Sequence, residues 1–175
     1  MKRSVSYRYA ALLFLGTICA SCGGGGGGGE APGADVGLAL SSGRIAVGED
    51  LLVEVSLVNK NPYGILLKMR YPDMLRYRSG TATMRVRGTT LPVEPAFEQQ
   101  LQDGRRYLVF FFYRDQFGSD QLGELAFLLR GNAAIEEGLI EVDAAPNDPL
   151  LPDRNEFDTE RPQFEADDEG WVTVR

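Results

Sequence analysis

From Asp35 onward, apolar and polar positions alternate in short stretches separated by turn residues, the period-two pattern of half-buried strands. Val36 to Leu40 alternates. Ser41-Ser42-Gly43 turns the chain, Arg44 to Val47 reads as a short strand, and Gly48-Glu49-Asp50 turns it again. Leu51 to Asn59 places Val53, Val55 and Leu57 on one face and Glu54 and Ser56 on the other. After the break Asn59-Lys60-Asn61-Pro62, Tyr63 to Tyr71 places Tyr63, Ile65, Leu67, Met69 and Tyr71 on one face and Lys68 and Arg70 opposite, which predicts a half-buried strand. Arg76 to Arg78 and Thr81 to Arg87 read as strands in which Arg76 shares a face with Arg78, and Arg85 with Arg87. Gly88 to Pro92, followed by Pro95, reads as a loop, and Phe97 to Leu101 as a helical turn or a ragged strand. Tyr107 to Tyr113 is an unbroken aromatic run, which suits a central strand covered on both faces. Gly123 to Arg130 alternates again, and Ile135 with Leu139 to Val142 gives another strand. Ala144 to Gly170 is an excursion heavy in Pro, Asp and Glu. Trp171 to Val174 reads as a last strand, docked into the sheet and not frayed. About nine short strands without an amphipathic helix predict an all-β, two-sheet antiparallel sandwich over residues 35–175.

Ahead of the strands lie Lys2, Arg3 and Arg8, then an apolar run from Ala10 to Ile18. That run is far short of the roughly 20 residues a membrane span needs, so residues 1–21 read as an export signal. Gly23 to Gly29 follow Cys22. A glycine run does not pack and behaves as a flexible tether, here over residues 22–34.

Composition narrows the chemistry. Cys19 and Cys22 are the only cysteines, so residues 35–175 contain no disulfide, no thiol nucleophile and no soft metal ligand. The chain has no histidine, which removes Ser-His-Asp hydrolysis, imidazole metal sites and the commonest general base near neutral pH. Nothing marks any two acids as a glycosidase pair, so no enzyme activity is expected. The formal charge is −7, and −10 without Lys2, Arg3 and Arg8, which disfavours nucleic acid as a partner.

Cys19-Ala20-Ser21-Cys22 resembles the lipobox of bacterial lipoproteins, usually Leu-Ala-(Gly/Ala)-Cys, with Cys19 in the aliphatic position. The resemblance implies cleavage between Ser21 and Cys22, a diacylglycerol thioether on Cys22, and palmitate-type acyl chains as the membrane attachment. Gly23 does not look like an inner-membrane retention signal, which favours the outer membrane of a two-membrane cell. An ordinary secreted protein cut near Ala20 is the alternative.

The strand pattern in turn resembles the cohesin-type β-sandwich, a jelly-roll relative. The likeness rests on Val47-Gly48-Glu49-Asp50 leading into Leu52-Val53-Glu54-Val55, on Leu67-Lys68-Met69-Arg70-Tyr71 with its turn Pro72-Asp73-Met74-Leu75, and on Gly123-Glu124-Leu125-Ala126-Phe127 and Glu169-Gly170-Trp171-Val172-Thr173-Val174. In the family Tyr-Asp-Pro stands where Pro72 precedes Asp73 here, and the excursion before Trp171 has no equivalent. The resemblance implies a non-catalytic module that binds protein, as in adhesion or scaffolding. A carbohydrate-binding surface module and a structural envelope protein without a ligand are the other readings.

Two charged stretches are the candidate sites. Lys60 to Arg87 holds seven basic residues and one acid, Asp73. Arginine forks bind carboxylates through paired hydrogen bonds, so Arg70, Arg76, Arg78, Arg85 and Arg87 are candidates for an acidic protein or uronic polysaccharide, against the plainer reading of a solvated sheet face. Glu141 to Gly170 holds eleven acids and two bases. Asp153, Asn155 and Asp158, and then Asp167, Asp168 and Glu169, are oxygen donors of the kind calcium takes, without the spacing of an EF-hand loop. No other cofactor is implied. A further arrangement lays the acidic segment across the arginine face of its own domain.

Overall fold

The structure is a computed structural model that describes residues 34–60, 64–142 and 168–175. The export signal, Cys22, the glycine tether, Tyr63 and most of the acidic excursion lie outside the described residues.

Among the described residues, twelve strands form two packed sheets. They are β1 (Ala34–Leu40), β2 (Arg44–Ile45), β3 (Asp50–Asn59), β4 (Gly64–Pro72), β5 (Leu75–Tyr77) and β6 (Thr83–Val86), then β7 (Thr89–Pro92), β8 (Phe97–Gln100), β9 (Arg105–Tyr113), β10 (Leu122–Gly131), β11 (Ile135–Val142) and β12 (Asp168–Val174). The first sheet runs β1-β3-β10-β6-β7, with β5 also on β10. The second runs β2-β12-β11-β4-β9-β8. All pairings are antiparallel except the short one between β2 and β12.

Alternation decides which side of each strand is dry. Leu51, Val53, Val55 and Leu57 of β3 and Leu125, Phe127 and Leu129 of β10 point inward from the first sheet. Ile65, Leu67, Met69 and Tyr71 of β4 and Leu108, Phe110 and Phe112 of β9 meet them from the second. Phe110 stacks on Phe112 with ring centroids 5.9 Å apart and reaches Phe127 across the sandwich at 5.9 Å. Tyr77 closes on the far side of Phe127 at 6.1 Å. One flank of the sandwich is drawn tight where β12 nears β1. A β-carbon on Gly170 would lie 2.8 Å from Leu40 Cδ1, so glycine is what lets the two sheets approach there.

Three expectations are corrected: twelve strands among the described residues replace about nine, Thr89–Pro92 is a strand and not a loop, and β4 is not half-buried. Of the two readings of Phe97 to Leu101, the strand is the one found, over Phe97–Gln100. Arg87 and Gly88, at φ 50° and 77°, make the two-residue turn that folds β7 back onto β6. β4 is covered on both faces and is not half-buried: Leu66 and Lys68, on its outer side, are each 2% exposed. The aromatic run does form a central strand, and the C-terminus is docked. Val47 N–H donates to Arg175 O at 3.0 Å, and Arg175 N–H donates to Ile45 O at 3.1 Å.

Phe127 joins both sheets, so Phe127→Ala should destabilise the fold by about 3–5 kcal/mol. Urea unfolding followed by tyrosine and tryptophan fluorescence measures it.

Candidate functional site

The outer face of the first sheet is an open, shallow groove of about 610 Å³. Strand register builds it in two rungs. Gly37, Ser56, Glu124, Arg85 and Thr90 stand in line across β1, β3, β10, β6 and β7. Ala39, Glu54, Ala126, Thr83 and Pro92 form the next line. The floor is therefore rich in glycine, alanine, serine and threonine, with Glu54, Glu124 and Arg85 among them, and no aromatic residue among the described residues lines it. Arg85 and Glu124 pair across the groove, both more than half exposed. An ion pair that open to water contributes little to stability, so a ligand displaces it cheaply.

Below the groove, Asp50 holds Arg78 and Arg130, the latter at 3.0 Å. Burial by itself would raise the Asp50 carboxyl, but the hydrogen bonds from Arg130 and Arg78 outweigh it and hold the group below its ordinary 3.8.

The second sheet carries a different cleft. Trp171 of β12 is 53% exposed and lies with Glu136, Glu137, Thr173 and Gly43 in a depression of about 330 Å³. Thr173 N–H donates to Gly43 O at 2.9 Å, and its hydroxyl donates to Glu136 O at 2.8 Å, which fixes the rim. The sequence marked Trp171 to Val174 only as a last strand docked into the sheet. Its outward side follows from Val172 and Val174 being the buried positions of β12.

The five candidate arginines do not share one face. Arg85 lines the groove, and Arg87 sits in the β6–β7 turn with Asp120 4.0 Å away. Arg76 pairs with Asp73, and Arg78 with Asp50. Arg70 lies on the other sheet, 2.7 Å from Glu141, with its guanidinium 5.9 Å above the Tyr107 ring. The expected pairing of Arg85 with Arg87 on one strand face fails because the chain turns at Arg87.

Several other carboxylates are also engaged. Glu141, nearly buried, takes both Arg70 and Arg105, the latter at 2.8 Å. Arg106 bridges Asp73 at 2.8 Å and Glu98 at 3.0 Å. Tyr71 donates to Glu98 at 2.7 Å, and its phenol is raised well above the usual range by burial and then by Glu98. Burial, with Glu94 behind it, pushes Tyr77 up to about 12. Neither phenol serves as a base near neutral pH. No group of three or more metal-ligating side chains occurs among the described residues. Of the calcium candidates, only Asp168 and Glu169 are among the described residues.

No protein-family model matches the chain, and no curated protein matches it by sequence. Solved structures give distant similarity to pilin and cohesin domains. The T6 backbone pilin of serotype M6 Streptococcus pyogenes is 13% identical with a TM-score of 0.46; the match covers 81% of this chain and 36% of the pilin. The non-cellulosomal cohesin of the archaeon Archaeoglobus fulgidus is 12% identical, TM-score 0.39, covering 81% and 91%. A type II cohesin from the cellulosome of Acetivibrio cellulolyticus is 13% identical, TM-score 0.36, covering 82% and 95%. AvmM, which catalyses macrocyclization in alchivemycin A biosynthesis, also matches, at 15% identity and a TM-score of 0.40 over 81% and 87%. At these values no role is carried over from any of them.

Because Asp50 is held low in the folded state, its contribution is full above the ordinary carboxylate value and is lost as pH falls through the folded one. Asp50→Asn should therefore lower the melting temperature at pH 7. The gap to wild type should close as pH drops below about 4, read by thermal denaturation across a pH series.

Proposed function

We propose that this chain is a non-catalytic, cohesin-like binding module, held at the cell envelope by lipid on Cys22, and that it takes a protein partner on the open face of its first sheet. The observation that carries the reading is the groove floor of Gly37, Ala39, Ser56, Thr83 and Ala126. Small side chains let a partner's surface come close to the sheet backbone, and Arg85 beside the acids Glu124 and Glu54 supplies charges of both signs to orient it. Pro92 at the end of the edge strand β7 and Pro95 beyond it discourage strand addition at that edge, which leaves the face as the meeting surface. The absence of histidine, and the engagement of Asp73, Glu98 and Glu141 by guanidinium groups, support a role without catalysis. The glycines after Cys22 suit a tether that holds the domain clear of the lipid headgroups, with the outer membrane the favoured location.

The cleft at Trp171 favours the second reading, a carbohydrate-binding module. An exposed indole stacks on a sugar ring, and Glu136 and Glu137 beside it accept from hydroxyls.

Two outcomes test the reading. Alkyne-palmitate fed to cells should label the chain, and Cys22→Ser should abolish the label and release the protein from the membrane fraction. Ala126→Trp fills the groove without touching the core. It should lower recovery of a crosslinked envelope protein about tenfold, equivalent to roughly 1.4 kcal/mol, with an unchanged melting temperature. If instead Trp171→Ala abolishes binding on a glycan array and Ala126→Trp changes nothing, the sugar reading replaces the protein one.

A further inference from the structure

The cleft at Trp171 owes its lining to an irregularity between β11 and β12. Ile135 pairs with Val174 and Gly138 with Val172, so Glu136 and Glu137 together stand opposite the single residue Thr173. In a regular strand two consecutive side chains point to opposite faces. The extra residue of a bulge re-aims one of them, and both glutamates line the same depression as Trp171. Both are exposed, and the Thr173 hydroxyl, donating to Glu136 O at 2.8 Å, pins the bulge in place.

The charge of this cleft is of one sign. Elsewhere on the domain Asp50, Asp73, Glu98 and Glu141 each hold an arginine. No basic side chain lines the cleft, and neither Glu136 nor Glu137 has an ion pair among the described residues. A concave site lined by one sign of charge concentrates the opposite sign, so a uronic or sulfated sugar is repelled here and a cation is drawn in. The indole face beside the carboxylates, 53% exposed, attracts a cation as well. A basic peptide gains less from the site than a sugar does. β12 is paired with β2 on one side and with β11 on the other, so it offers a peptide backbone no free edge, and Thr173 N–H is already taken by Gly43 O. A sugar ring needs only the flat indole and the side-chain oxygens. We propose that the Trp171 cleft binds an amino sugar with a free ammonium group, the ring against Trp171 and the ammonium on Glu136 and Glu137. The proposal rests on the sugar reading of this cleft and is independent of the groove on the first sheet.

The full chain is titrated calorimetrically at low salt with a glucosamine tetramer, its N-acetylated counterpart, a galacturonic acid tetramer and a tetralysine peptide. The glucosamine tetramer should bind at least about tenfold more tightly than the N-acetylated one, by a margin that shrinks as salt is added, and the galacturonic acid tetramer should not bind. Trp171→Ala should abolish binding. Glu136→Gln combined with Glu137→Gln should bring the glucosamine tetramer down to the affinity of the N-acetylated one, with an unchanged melting temperature because both side chains are exposed. Equal affinity for the two glucosamine oligomers, or binding of the galacturonic acid tetramer, would overturn the proposal and leave the sugar reading standing. Tetralysine bound as tightly as the glucosamine tetramer, with the same dependence on Trp171, would overturn it in favour of a basic peptide. Failure of all three sugars to bind would overturn both the proposal and the sugar reading.

Discussion

The pairing of β4 with β9, continuous over nine residues and largely buried on both sides, is the constraint that the rest of the molecule obeys. Its inner side meets β3 and β10 in a single core from Ile45 to Val174. Its outer side buries a second, smaller cluster around Leu66 and Val109. A strand pair that is dry on both sides belongs in the middle of a sheet, and here β11 and β12 flank it on one side and β8 on the other. With no cysteine beyond residue 22, no disulfide ties these strands, and burial carries the stability.

The charge pairs set geometry more than stability. Arg106 between Asp73 and Glu98 joins the β4–β5 turn to the edge strand β8. Asp50 between Arg78 and Arg130 fastens the start of β3 to the end of β10 and to the segment after β5. Glu141 between Arg70 and Arg105 lies where β11, β4 and β9 come together. The more exposed of these, Asp50 with Arg78 and Arg130, contribute less than about 1 kcal/mol each. Their positions at strand ends suit them to fixing register, which hydrophobic contacts, being non-directional, specify less sharply.

The sandwich itself was legible in the chain because alternation leaves a residue-level trace. Val53, Val55 and Leu57, or Leu125, Phe127 and Leu129, announce their inner face without knowledge of any partner. β7 was not legible, since Thr89-Thr90-Leu91-Pro92 is exposed throughout and is a strand only because the turn at Arg87 and Gly88 lays it against β6. Burial of Lys68 was not legible either: a lysine on a polar-looking face reads as solvated until the depth of Leu66 and Val109 is known. The groove escaped for a related reason. Gly37, Ala39, Ser56, Thr83 and Ala126 are far apart in sequence and individually unremarked, and only the register of five strands sets them side by side. The arginines were conspicuous in the chain but scattered by the same register.

The residues chosen for the open face are the basis of the partner surface proposed above. An outward position on a strand is best filled by threonine, valine or an aromatic residue, and glycine and alanine are among the poorer choices there. Gly37, Ala39 and Ala126 occupy such positions on β1 and β10. Sheet stability does not account for them, and solubility would be served as well by threonine or lysine. What a small residue provides at an outward position is access to the backbone and to the carboxylate and guanidinium that stand beside it. The same reasoning separates the two faces of the molecule. One carries bulky apolar side chains and a lysine that are already out of water. The other carries small side chains that remain in it, which is the contrast on which the proposed partner surface rests.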